Sequence, residues 1–226
     1  MNKKEKEQDK RNRLMAAAGK VFSRRGYAQA TVDEIIALAD TGKGTLYKYF
    51  GNKDNLFYTL VSQKHSALME QLWAVAGEAE KNIEERLIRI LTVWIEFLRE
   101  NIVLWQVLFF EVTCSNRGYS AEEMAQGDLR LVAMWGELPS REEQENILRY
   151  HRLISEEVKP IIKVYDEGIR QHFFNEISSH REIAETIFLA VAMLVFFRTT
   201  NNLEKVPAEE LAVNIVKIRL YGLAAS

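Results

Sequence analysis

The sequence predicts an all-α protein, with three short helices over residues 1–52 followed by a larger helical part over residues 53–226. Three observations predict it. Nearly every segment of the 226 residues places apolar side chains at the i, i+3, i+4 spacing of a helix, and no stretch alternates cleanly at period two. Three prolines and eleven glycines are too few for a disordered or turn-rich β chain. A composition of 47% hydrophobic and 27% charged residues is that of a chain with its own core.

The first element follows from residues 11–25, which put Leu14, Ala17, Ala18, Val21 and Phe22 on one face with Arg11, Arg13, Lys20 and Arg24 elsewhere. Gly26 ends it, as glycine does at a left-handed C′ position. Thr31 and Glu34 then form a capping box for a short second helix, with Ile35, Ile36 and Leu38 expected on its buried side. Asp40-Thr41-Gly42 breaks the pattern after two turns, and Lys43–Phe50 is a third short helix. Gly51-Asn52 separates it from a fourth that opens at Lys53.

Three short helices, the last two joined by a tight turn, have helix-turn-helix geometry. At 100° per residue, Leu46 and Phe50 lie within about 40° of each other and face inward. Gly44 and Lys48 occupy the opposite, exposed line, with Thr45, Tyr47 and Tyr49 on the flanks. A glycine on that line lets the backbone approach a groove floor closely, and Lys48 reaches base acceptors or phosphates. Packing between helices is an equally good account of Tyr47 and Tyr49 taken alone.

The stretch ATVDEIIALADTGKGTLYKYFGNKDNLF resembles the DNA-binding segment of TetR-type bacterial transcriptional regulators, and the resemblance covers about residues 11–60. KGTLYKYF, Lys53 and Leu56 all fall in register. The family's usual Gly-Val-Ser turn is here Asp40-Thr41-Gly42, and Ala37 and Leu38 stand where the family often has polar residues, which reads as extra packing. The resemblance implies that Thr31, Lys43, Gly44, Thr45, Tyr47, Lys48, Tyr49 and Lys53 meet double-stranded DNA, with Lys53 and its helix N-terminus on a phosphate. It also implies a small-molecule pocket among the later helices and a homodimer built on the last two.

Those later helices are expected at about 53–76, 83–99, 102–114, 121–135, 141–176, 181–201 and 207–223. Pro160 should kink or divide the fifth, while Pro139 and Pro207 sit at helix starts. Ile187–Phe197 is apolar around its whole circumference, which no ordinary surface helix is. With Leu211, Ile215 and Ile218 lined up on the last helix, this points to an oligomer contact through Ala190, Leu194, Leu211, Ile215 and Ile218, the small Ala190 and Ala192 permitting close approach.

An aromatic concentration supplies candidates for the effector pocket: Trp94, Phe97, Trp105, Phe109 and Phe110, then Cys114, with Trp135 and Tyr165 from later helices. Flat apolar walls favour an aromatic or lipophilic ligand. The same rings would serve equally as plain core. Catalytic constellations are not apparent. His65, His151, His172 and His180 stand in no metal-ligand spacing, so neither metal nor cofactor is expected. Gly42-Lys43-Gly44-Thr45 lacks the earlier glycine and strand of a phosphate loop. Cys114 has no nucleophile signature, and Glu156-Glu157 and Asp166-Glu167 read as solvated helix faces.

Charge divides along the chain. Residues 1–60 hold 12 Lys/Arg against 7 Asp/Glu, a charge of +5; residues 61–226 hold 18 against 25, a charge of −7. One part meets a polyanion and the other does not. A single cysteine suits a reducing compartment, the first thirteen residues carry no apolar signal segment, and the longest apolar run has eleven residues where a membrane span needs about 20. The expectation is a cytoplasmic, non-enzymatic, ligand-responsive repressor that binds a palindromic operator as a dimer. The rival readings are an all-α lipid or small-molecule binder or enzyme with no DNA role, and a regulator that answers to a protein partner.

Overall fold

The computed structural model describes residues 2–113, 118–124, 128–175, 179–197 and 205–222. They are helical apart from one short hairpin, and they divide into two units.

The first unit takes Met1–Ser66, Val103–Glu122 and Arg130–Tyr150. Its leading helix α1 (Lys3–Gln29) buries the five expected side chains, Leu14, Ala17, Ala18, Val21 and Phe22. Gly26 bends α1 with φ +73°, a conformation that strains any residue with a Cβ. Opposite that face lie Ile35 and Ala39 of α2 (Val32–Ala39), Leu46 and Phe50 of α3 (Lys43–Phe50), and Leu56 and Phe57 of α4 (Lys53–Ala76). Each large side chain so buried contributes about 1.5–3 kcal/mol against staying in water. Leu38 corrects the sequence reading: it is 53% exposed, and Ala37 is exposed beside it. On a helix of two turns the Ile35/Ala39 line alone reaches the core, and Leu38 points about 80° away from it.

The remainder of this unit lies in α6 (Ile102–Thr113), β1 (Tyr119–Glu123), β2 (Leu129–Ala133) and the first part of α7 (Arg141–Glu157), of which Ile102, Glu123 and Leu129 fall to the second unit. The helix expected at 121–135 is this two-stranded hairpin instead. Gly118, at φ +73°, turns its carbonyl to accept from both Met134 N (2.7 Å) and Trp135 N (2.9 Å), which closes the pair against helix formation. α7 grips the first turn of α4. Arg149 pairs with Asp54, donates to Asn55 Oδ1 (2.8 Å) and lies 4.4 Å over the Tyr58 ring. Tyr150 donates to Asp54 Oδ1 (3.0 Å); burial and that carboxylate push its hydroxyl above the usual range, so it stays a donor.

The second unit takes Ala67–Ile102, Glu123–Leu129 and His151–Ser226. Its central helix α5 (Ile83–Glu100) packs against α8 (Lys159–Arg170), α9 (His180–Phe196) and α10 (Ala208–Tyr221). Pro160 divides α7 from α8 by occupying the first turn of the new helix, where its missing N–H costs nothing. Two acids expected on solvated faces are structural. Glu157, 1% exposed, accepts from Trp94 Nε1 at 3.1 Å. Glu167 binds Arg86 Nη1 at 2.5 Å and Lys163 Nζ at 2.6 Å.

Candidate functional site

The helix-turn-helix is assembled from caps. Thr31 Oγ1 accepts from Glu34 N at 3.2 Å while Glu34 Oε2 accepts from Thr31 N at 3.3 Å, closing the expected capping box. These bonds hold Glu34's carboxyl below the usual range. They also occupy the Thr31 hydroxyl, whose observed work is to start α2. At the other end Asp40 adopts the left-handed conformation at φ 48°, which Asp tolerates. Sequence reasoning missed the residue that fixes this turn. Arg13 of α1 donates to Asp40 O (2.7 Å) and Asp40 Oδ2 (2.9 Å) and to Ala39 O, capping the last carbonyls of α2. The pairing spans 27 positions, so no local pattern shows it.

Inside the turn the Thr41 hydroxyl is buried without a hydrogen-bond partner among the described residues. An orphaned buried hydroxyl costs more than the equal-shaped methyl. Thr41→Val should therefore stabilise the protein by about 1 kcal/mol and raise Tm by about 2–4 °C. Differential scanning calorimetry checks this; a lower Tm would mean that the hydroxyl is solvated in the turn.

On α3, Leu46 and Phe50 are buried, and Lys43, Gly44, Tyr47 and Lys48 are exposed, with Thr45 and Tyr49 half-buried between them. A Cβ added at Gly44 would meet no atom within 4 Å, so nothing in the protein requires glycine there. Both lysines carry internal partners. Lys48 Nζ donates to Glu7 Oε1 at 2.8 Å and lies 5.5 Å from the Tyr49 ring, and Lys43 Nζ donates to Asp33 Oδ1 at 3.3 Å. The Glu7 bond and charge hold the Lys48 ammonium above its usual range. Lys53 stands apart: its ammonium donates to Tyr27 O (3.0 Å) and Ala30 O (3.1 Å), 4.4 Å from the Tyr27 ring, and so ties α4 to the end of α1.

In the second unit a cavity of about 320 Å³ opens between α5, α8, α9 and α10, with Leu87, Leu91, Ile161, Tyr165, Ile187 and Ile215 on its walls. Phe174 stacks on Tyr165 at 4.6 Å and also borders it. Gly168 makes that stack possible, since a Cβ there would come within 2.3 Å of the Phe174 ring. Exposed Arg219 stands at the edge, 3.5 Å from Thr186 O. Of the aromatic candidates, Tyr165 lines this cavity. Trp94 is buried against Phe188 (4.3 Å) and Phe97 is half-buried, both in this unit. Trp105 and Phe109 are buried in the first unit, and Trp135, also there, is 57% exposed. Cys114 and the Phe110 side chain lie outside the described part.

The proposed oligomer residues separate by burial. Leu211 and Ile215 are buried within the chain, and Ile215 faces the cavity. Leu194 and Ile218 are exposed and Ala190 is half-buried. Leu189, Met193 and Phe197, four residues apart, form an exposed apolar line along α9 and its C-cap. Among the described residues no group of three or more His, Cys, Asp or Glu could hold a metal ion, and no helix is long and apolar enough to cross a membrane.

Residues 14–59 match the family model of bacterial regulatory proteins, tetR family. The HTH-type transcriptional regulator YdgC of Bacillus subtilis, itself uncharacterized, is 32% identical over 110 residues, 47% of this chain and 56% of that protein. The HTH-type transcriptional regulator QacR of Staphylococcus aureus is 33% identical over 61 residues, 27% of this chain and 32% of QacR. The chain thus spans about half, or less, of the curated relatives it matches. Structures extend the likeness as a fold. The fatty acid degradation regulator FadR from Bacillus halodurans superposes with a TM-score of 0.70 at 21% identity, over 94% of this chain and 99% of that one. FadR from Bacillus subtilis, in complex with stearoyl-CoA, gives 0.70 at 19%, over 94% and 98%. The matched N-terminal segment is thus a capped helix-turn-helix of the kind found in bacterial regulatory proteins of the tetR family, and the whole chain is similar in fold to these solved regulators.

Proposed function

We propose that the chain is a cytoplasmic, ligand-responsive repressor that binds a palindromic operator as a homodimer, with residues 1–52 reading DNA and residues 53–226 serving effector and partner. The observation that carries the DNA role is the exposed line of α3, where Gly44 and Lys48 share a surface flanked by Lys43, Thr45, Tyr47 and Tyr49. Two such helices in a dimer enter successive major grooves about 34–36 Å apart. Lysines and hydroxyls on the flanks suit phosphates, and Lys48 suits the acceptors of guanine.

The effector reading rests on the apolar cavity of the second unit, with Tyr165 on its wall and Arg219 at its edge. It fits a lipophilic body with an anionic group, and the stearoyl-CoA complex of a protein with the same fold supports that class. A ligand relieves repression by binding more tightly to the conformation that mismatches the operator, since equal affinity for both states would shift nothing.

Selection of duplexes from a randomised pool with the full chain tests the DNA role. The wild type should enrich a palindrome. Gly44→Ala should melt no lower than the wild type, because Ala favours the helix and the added methyl meets no protein atom, yet bind the enriched duplex at least about tenfold more weakly. Unchanged affinity would remove α3 from the groove, and a pool without enrichment would remove the repressor reading.

A further inference from the structure

We infer that Glu7 and Asp33, two acids outside the expected contact set, are specificity-determining residues: each holds a lysine of α3 in an internal ion pair that a random phosphate must break. This rests on α3 being the DNA-reading helix. Lys43 and Lys48 are the lysines of α3, and each has its ammonium on a carboxylate from a preceding helix. Lys43 with Asp33 joins α3 to the first turn of α2, and Lys48 with Glu7 joins it to the first turns of α1.

Glu7 lies seven residues before the segment that matches the family model, so the fold of the helix-turn-helix does not account for it. Its position is nevertheless built. Asn2 opens α1 with a capping box in which Asn2 N donates to Glu5 Oε2 at 2.7 Å, so that the helix is fixed from its first turn. Glu7, Arg11 and Leu14 then share one helical line. Leu14 is fully buried, the Arg11 guanidinium lies 5.5 Å from the ring of Phe50 on α3, and Glu7 reaches Lys48. The start of α1 is thereby laid along α3 by two successive contacts, Arg11 on Phe50 and Glu7 on Lys48.

A carboxylate beside a DNA-facing lysine works against indiscriminate binding. Non-specific affinity comes almost wholly from cations that replace counterions on phosphates. A lysine already neutralised by Glu7 releases none unless the pair opens, and the carboxylate itself repels the backbone. Recognition of a base differs. An ammonium has three donors, so Lys48 can keep one on Glu7 and aim another at the O6 or N7 of guanine. Glu7 then orients the lysine for a base and withholds it from random phosphate. Asp33 stands in the same relation to Lys43. Discrimination by an unfavourable contact is available to any interface whose competitors share one chemistry, and here that chemistry is the phosphate.

The test uses the full chain, the duplex enriched by the wild type and a base-scrambled duplex of equal length, with affinities measured over a series of salt concentrations. Glu7→Gln should tighten the scrambled duplex about three- to tenfold and the enriched duplex less than about twofold. Its salt slope on scrambled DNA should steepen by about 0.9, the value of one additional phosphate contact. Asp33→Asn should act in the same direction. Glu96→Gln on α5 makes the same change in net charge within the second unit and is the control. If Glu7→Gln and Glu96→Gln tighten both duplexes equally, or the slope is unchanged, the inference fails while the repressor reading stands. If the wild type enriches no duplex, both fall.

Discussion

Glu167→Gln is expected to cost about 3 kcal/mol of stability at neutral pH and to cost almost nothing once the pH has fallen below 2. The size follows from what Glu167 neutralises. The Arg86 side chain is 2% exposed, with Nη1 on Glu167 Oε2 at 2.5 Å and Nη2 on Ala76 O, the last carbonyl of α4. Lys163 Nζ bridges the same two groups, at 2.6 Å to Glu167 Oε1 and 2.9 Å to Ala76 O. Removing the carboxylate charge leaves a buried guanidinium uncompensated, the costly half of breaking any buried pair.

The hydrogen bonds from Arg86 and Lys163 hold the Glu167 carboxyl down to about 2, against 4.5 for the unpaired group. Its stabilisation is therefore complete above pH 4.5 and is lost as the pH falls toward 2. His151 acts in a separate window. Burial holds its imidazole down to about 4 from 6.5, so the folded state keeps it neutral while the unfolded chain takes up a proton. That contribution is whole above pH 6.5 and declines as the pH falls to 4. Urea unfolding between pH 8 and 2 should show the wild type descending in two steps. Glu167→Gln should remove the lower step and His151→Gln the upper. A Glu167→Gln penalty that is equal at pH 7 and pH 2 would show that packing, not charge, is what the carboxylate supplies.

What the sequence disclosed and what it hid divide by the range of the interaction. Lys43–Phe50 and Lys53–Ala76 begin and end where their local signals say, since Gly51 carries φ +76° between them and Asn52 Oδ1 accepts from Asn55 N at 2.7 Å. The capping box at Thr31, the inward face of α1 and the division at Pro160 are equally local, and all three are present. The hairpin escaped because its strands are five residues long, too short for alternation to stand out, and because Gly118 acts through carbonyl geometry that composition does not reveal. Leu38, apolar and helical, reads as core until the tertiary direction of α2 is known.

Arg13, Arg86, Glu157 and Glu167 were invisible for a related reason. Each finds its partner 10 to 81 positions away, and on its own helix each looks like a solvated charge. The candidate sites follow the same division. α3 was legible as a surface because eight consecutive residues define it. The cavity was not, because α5, α8, α9 and α10 each contribute two to four side chains whose convergence only the fold determines.

Met193→Glu is expected to convert a dimer into a folded monomer and, with that, to weaken operator binding by about two to four orders of magnitude. The second unit leaves an apolar line along α9 and its C-cap with Leu189 44%, Met193 46% and Phe197 54% exposed, and α10 adds Ile218 at 48%. The opposite side of α9 is already filled by Ala184, Phe188, Val191 and Val195. A helix buried on one side and apolar on the other has surface to give to a second copy. Because Met193 is half in water, glutamate there costs little in the isolated chain, whereas in the dimer it would stand as an unpaired charge in a dry interface. Operator affinity falls with it because a monomer grips one half-site, losing the second contact that linkage makes nearly intramolecular. Ile218→Glu should behave alike, and Glu96→Gln should leave the dimer intact. Native mass spectrometry at micromolar concentration, a thermal melt and an operator titration on one preparation decide it. A wild-type monomer, or a Met193→Glu protein that stays dimeric, would assign the α9 line to something other than a second copy of this chain.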